Sequence, residues 1–170
     1  MTKSKTQFIA LFIGALALLI AGLVPAQGYP NPYAALNSWA KLPDGRTFGA
    51  VGDTDVDPDG VHMWAVIRCD ATARDRFGNE CVDSELDSVI KFDADGNVVE
   101  SFGGGMFIWP HGIELDANGN VWVTDAVSDA RIPDGDKRGH QVVKFSPTGE
   151  VLMVLGTPGE AGSANNQFNS

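Results

Sequence analysis

Basic residues are scarce in this chain: 12 Lys and Arg stand against 22 Asp and Glu, a formal net charge of −10 over 170 residues. A surface of that sign repels phosphate backbones, which argues against nucleic acid as a partner. Cysteine is scarcer still, Cys69 and Cys81 being the whole complement. Two thiols fall short of the four ligands of a structural zinc site, and no nearby His completes such a set. Beyond the N-terminus no apolar stretch approaches the length of a membrane span. Nowhere does the pattern read as a long amphipathic helix.

What is there begins with Lys3 and Lys5, an apolar run from Phe8 to Val24, and the small-residue cleavage site Val24-Pro25-Ala26 before Gln27-Gly28. This reads as a secretory signal over residues 1–26. The alternative is an uncleaved membrane anchor, the run being at the short limit of the roughly 17–25 residues a span requires. No Cys follows the run, so a lipid anchor is not supported. The mature chain is expected to be secreted or periplasmic and off the membrane once the signal is cleaved. In that oxidising setting Cys69 and Cys81 are expected to form a disulfide closing the polar segment between them. The remainder is long enough for one domain with a core, read as a lead-in over 27–43 and a folded part over 44–170.

The folded part consists of short alternating apolar runs cut by Pro58-Asp59-Gly60, Asp95-Gly96-Asn97, Asn118-Gly119-Asn120 and Thr148-Gly149-Glu150. Such Gly-containing turns between period-2 segments predict β-hairpins and an all-β fold. An internal repeat sets the architecture. Residues 88–103 (SVIKFDADGNVVESFG) align without gaps on residues 141–156 (QVVKFSPTGEVLMVLG), and residues 112–125 (GIELDANGNVWVTD) echo residues 53–66 (DTDVDPDGVHMWAV). Two hairpins per unit make a four-stranded blade, and repetition at this spacing predicts a β-propeller. Two units lie between Phe48 and Gly156. A closed propeller takes roughly four to eight blades, so an incomplete propeller with an open last edge is expected, truncation being preferred over closure by oligomerisation.

The stretch Phe107 to Asp125 (FIWPHGIELDANGNVWVTD) resembles the lyase domain of peptidylglycine α-amidating enzymes, a six-bladed propeller of the NHL-repeat type. Residues 140–149 with Leu155-Gly156 and Gln167-Phe168, and Phe48-Gly49 with Asp57-Pro58 and Arg68, are similar to the segments around it. GNxWVTD is common to NHL propellers, and Pro110-His111-Gly112 is the more specific part. The resemblance implies a catalytic zinc on three His, a structural calcium near the axis, and cleavage of peptidyl-α-hydroxyglycine to a peptide amide and glyoxylate. Carried over, His111 matches the first zinc ligand, Ile113 and Thr54 match positions giving backbone carbonyls to calcium, and Arg68 matches the active-site arginine. The loop before Arg68 is one residue longer here. The other zinc ligands and the catalytic Tyr fall in blades outside these two units.

Each residue also has a plainer reading. Arg68 is otherwise a surface arginine at a strand end, although a guanidinium fixed beside Cys69 suits a carboxylate. His62 and His140 sit beside turns and are expected to be exposed. The acidic series Asp53, Asp55, Asp57 and Asp59 before Gly60 lacks the Glu of a calcium-binding helical loop, its twelfth position being Trp64. It is read instead as a strand with solvent-facing carboxylates. Asp125 and the segment 129–136 read as solvated loop, and Trp64 and Trp122 as blade-core packing. Two functions follow: a zinc-dependent C–N lyase acting on a small or peptide substrate, or a non-catalytic NHL propeller that binds a peptide, glycan or protein. The oligomeric state is left open.

Overall fold

The computed structural model describes residues 30–70, 80–127 and 132–168; the signal expected over 1–26 and most of the segment between the cysteines lie outside them. The chain divides into two compact units, Met1–Leu36 and Asn37–Ser170. Of the first, residues 30–36 are described and contain neither strand nor helix. No helix among the described residues is long and apolar enough to cross a membrane.

The second unit is all-β. Strands β1 (Val51–Val56), β2 (Met63–Ile67), β3 (Val89–Phe92) and β4 (Val98–Phe102) form one antiparallel sheet in sequence order. Strands β5 (Pro110–Leu115), β6 (Val121–Asp125), β7 (Gln141–Phe145) and β8 (Val151–Gly156) form a second in the same order. Each sequence unit therefore builds one sheet, as the repeat predicts.

The turns explain the strand boundaries. In the hairpin after β3, Asp93 N–H donates to Asn97 O and Gly96 N–H to Asp93 O, while the Asp93 carboxylate accepts the N–H groups of Asp95 and Asn97. Asp116 organises the hairpin after β5 in the same way, and Ser146 that after β7. The fourth residue of each turn is a Gly at positive φ, 78° at Gly96, 76° at Gly119 and 85° at Gly149, a backbone that other residues adopt only under strain. The β1–β2 turn is one residue longer and adds Asp59, which accepts the N–H groups of Val61 and His62.

Trp64 pairs across the ladder with Lys91, and Trp122 with Lys144. Each lysine lies over its tryptophan ring, at 5.4 and 4.7 Å, and each also reaches a turn carboxylate, Asp57 at 2.7 Å or Asp116 at 2.9 Å. The two sheets pack through Trp64, Val66 and Val89 on one side and Ile113, Val121, Val123, Val143 and Phe145 on the other, with Phe107 between them. Phe102 bridges the layers, its ring centroid 5.6 Å from Trp64 and 5.0 Å from Phe145. The opposite face of the first sheet, Ala65, Ile67, Ile90 and Phe92, is covered by Trp39, Ala40 and Leu42 of the lead-in. That strap is held by Trp39 Nε1–H to Ala94 O and Lys41 N–H to Gly96 O.

Several polar residues depart from their sequence reading. Asp125 is 2% exposed and is no solvated loop residue: it accepts N–H groups from Ile108, Trp109 and Gly139. His140 is buried, at 4% exposure, and His62 is half-buried against Asp59. Asp136, in the loop read as solvated, ion-pairs with Arg138, whose guanidinium also donates to Val82 O. Trp122 is only half-buried where Trp64 is fully enclosed, because the second sheet covers Trp64 and no described sheet covers Trp122. Asp125 is buried by partners far away in sequence, whereas His62 and Asp136 are engaged by close neighbours.

Candidate functional site

The first strands of the two sheets lie side by side, and each carries an irregularity at its start. The β1–β2 register shifts between Val51 and Asp53, and the β5–β6 register between Pro110 and Ile113. Gly52 and His111 occupy these bulges and face each other. A Cβ at Gly52 would lie 2.6 Å from the His111 carbonyl oxygen, so only glycine permits the approach. Bulges re-aim side chains at the ends of ladders. Here His111 is exposed, while Ile113, two residues on, is buried in the core.

Carboxylates join the two first strands. Asp55 accepts the Leu115 N–H at 2.8 Å, and Asp53 the Ile113 N–H at 3.4 Å. The expectation that this acidic series simply faces solvent is thus corrected. Gly112 N–H donates to Thr124 Oγ1 at 2.8 Å, closing the bulge on the β6 side.

Arg68 follows β2 directly, its N–H bonded to Ala50 O at 2.9 Å. Its Nε–H donates to Pro110 O at 3.3 Å, and its guanidinium carbon lies 4.6 Å from the centre of the Trp109 ring. Arg68 is therefore brought to the residue preceding His111. Cys69, at φ 41°, turns the chain sharply there and forms the expected disulfide with Cys81, Cα to Cα 5.4 Å. Cys81 N–H donates to Ile108 O at 2.8 Å, which ties the disulfide to the strand carrying Trp109 and His111.

Thr54 and Ile113 occupy equivalent positions, paired with Ala65 and Val123 in their respective sheets. The β1–β2 turn is one residue longer than the β5–β6 turn, which leaves this equivalence intact. Among the described residues, no three His, Cys, Asp or Glu side chains converge as a metal site. Among the described residues His111 is the exposed imidazole here, since His62 is half-buried against Asp59 and His140 is buried. The described residues offer one candidate imidazole where a catalytic zinc takes three protein ligands, and two candidate carbonyls where calcium takes six to eight oxygens. They do not by themselves complete either centre.

Sequence reasoning missed Trp109 and Asp125. Trp109 adjoins Pro110-His111-Gly112, but its contact with Arg68 crosses from one sheet to the other. Asp125 closes the strand expected to end in solvent, and burial raises its pKa against the lowering effect of the N–H groups it accepts. A separate cleft of about 580 Å³, lined by Arg46, Asp70, Glu85, Asp87 and Ser101 among others, includes neither Arg68 nor His111. Two of its carboxylates are engaged, Asp70 by Thr47 and Asp87 by Ser101.

No family model matches the chain. In sequence it is similar to peptidyl-glycine alpha-amidating monooxygenase of Mus musculus, 33% identical over 87 residues, which is 49% of this chain and 8% of that protein. It is 40% identical over 67 residues to a probable peptidyl-alpha-hydroxyglycine alpha-amidating lyase of Caenorhabditis elegans, covering 37% of this chain and 16% of that one. Peptidyl-alpha-hydroxyglycine alpha-amidating lyase 2 of Drosophila melanogaster is 27% identical over 151 residues, 83% of this chain and 34% of its own length. The chain thus spans about a third or less of each of these three relatives.

Proposed function

We propose that this chain is part of an exported β-propeller of the NHL type that cleaves peptidyl-α-hydroxyglycine. The observation that carries the reading is the meeting of Arg68 with Pro110-His111 at the bulged ends of β1 and β5, within a chain similar to proteins named for that lyase activity. The two sheets are then two blades, with β1 and β5 nearest the axis. Signal cleavage and export are part of the proposal, and the Cys69–Cys81 disulfide is compatible with it.

In the reaction the bond between the amide nitrogen and the hydroxyl-bearing carbon breaks. The electrons of the hydroxyl O–H bond become the carbonyl bond of glyoxylate, and the departing nitrogen gains a proton to give the peptide amide. The substrate's carboxylate needs a fixed, planar donor, and Arg68 supplies one. A zinc ion would polarise the hydroxyl, with His111 as one ligand and others from further blades. Thr54 and Ile113 carbonyls are proposed toward calcium on the same terms. Since the described residues complete neither centre, no step is assigned to a metal here.

The test is glyoxylate release from a short peptide ending in α-hydroxyglycine, using the protein expressed from its whole reading frame, beside Arg68→Ala and His111→Ala. Release lost in both variants, with folding intact, supports the lyase. No release from the unaltered protein overturns it and leaves the second reading, a non-catalytic propeller that binds a peptide, glycan or protein. The single candidate imidazole among the described residues is the observation that favours that alternative.

A further inference from the structure

We infer that Trp109 is the positioning residue for Arg68: its ring sets the plane of the guanidinium, and so how well this rim receives a carboxylate. The inference rests on the reading of Arg68 given above and deepens it.

An arginine side chain carries wide rotamer freedom, and a fork that must meet a planar carboxylate loses affinity with every orientation it samples. The Nε–H bond to Pro110 O anchors one atom of Arg68 at 3.3 Å. The Trp109 ring, 4.6 Å from the guanidinium carbon, constrains the fork as well. A guanidinium laid face-on against a ring keeps its N–H groups in the plane, the geometry that bidentate recognition of a carboxylate requires.

Trp109 is itself well held. Its N–H donates to the buried Asp125 carboxylate at 2.7 Å, and its carbonyl accepts the Ala126 N–H at 3.2 Å. The neighbouring Ile108 is fully buried, donates to the same carboxylate, and accepts from Cys81 N–H. Cys81 is joined to Cys69, the residue after Arg68. Covalent and hydrogen bonds therefore run from Arg68 through the disulfide and Ile108 to Trp109, and the ring contact closes the circuit. Arginine and aromatic are set by one frame although Trp109 follows Arg68 by 41 positions in the sequence.

The test follows the Nε–Hε resonance of Arg68, assigned with an Arg68→Lys variant, in the wild-type chain, in Trp109→Phe, which keeps a ring, and in Trp109→Leu, which does not. Each protein is also titrated with N-acetylglycine as a plain carboxylate probe. The wild-type Hε is expected upfield of the other arginines, held there in Trp109→Phe and released in Trp109→Leu. The Kd for N-acetylglycine is expected to rise about fivefold or more in Trp109→Leu and about twofold or less in Trp109→Phe. An unshifted wild-type Hε overturns the inference even if Trp109→Leu fails to fold, and so does an unchanged Kd in a folded Trp109→Leu. A wild-type chain that binds no N-acetylglycine refutes the carboxylate role of Arg68 instead, and the Hε shift still decides whether Trp109 holds it.

Discussion

At the scale of single residues, two aspartates sit in opposite settings: Asp116 accepts N–H groups within its own hairpin turn, and Asp125 is buried beneath the backbone of Ile108 and Trp109. The two kinds of aspartate respond to pH in opposite senses. Asp116 is half-buried, and hydrogen bonds from Asn120 and then Lys144 hold its carboxyl well below the usual carboxylate range. Its contribution to stability is therefore fully present above the unfolded value of about 4 and is lost as pH falls through the lower folded value. Asp125 is raised by burial, so its contribution is greatest below the unfolded value and is lost as pH rises through the folded one. Asp116→Asn is expected to lower the urea midpoint at pH 7 and to narrow the gap between the midpoints at pH 7 and pH 3. Denaturation curves at the two pH values check this, and an unchanged gap would show that the turn carboxylate contributes nothing to acid lability. The hairpin turns were read from Gly96, Gly119 and Gly149 because a turn is closed by four or five consecutive residues. Asp125 and His140 were misread because what buries them, the backbone of Ile108 and Trp109 among it, comes from elsewhere in the chain.

Among the elements, strand pairing followed from the repeat, but the relation between β1 and β5 did not. Nothing in the sequence connects Gly52 with His111, the candidate singled out by the family pattern. Only the two bulges, set side by side, reveal why residue 52 has no side chain. The same packing turned Asp53 and Asp55 from expected solvent-facing groups into acceptors for the backbone of β5. Of the candidate site, Arg68 and His111 were legible as residues through the family pattern, while their convergence depends on this contact. Gly52→Ala is expected to force the bulges apart, at a cost of roughly 1–3 kcal/mol. It should also move the His111 ring resonances. Gly60→Ala is the control: it occupies a left-handed turn at φ 72° with open space around it, and is expected to lose stability without moving His111. Urea denaturation and imidazole NMR distinguish them, and equal effects of the two variants on His111 would remove the inter-strand contact from the account of the site.

For the whole molecule, the repeat predicts what each sheet is but not how differently the two are covered. Trp64, Val89 and Phe102 on the first sheet correspond to Trp122, Val142 and Leu155 on the second. The first set is packed under the second sheet, whereas Trp122 and Val142 are half-buried and Leu155 is 42% exposed. Along β8, Val151, Leu152, Met153, Val154 and Leu155 are all between 42% and 47% exposed, and no described strand pairs with its outer edge. A strand of this composition with an open ladder edge is a template for pairing with another chain, and the face beside it has the apolar pattern that a sheet covers elsewhere in this same molecule. The 170-residue chain is therefore expected to self-associate as its concentration rises, and Met153→Lys with Leu155→Glu to abolish that association while leaving the thermal midpoint of the dilute protein within a few degrees. Sedimentation velocity across a concentration series measures the first effect and calorimetry the second. A wild-type chain that stays monomeric throughout would mean that the lysine and carboxylate groups around Trp122, Lys144 and Glu114 among them, are enough to keep this face in water.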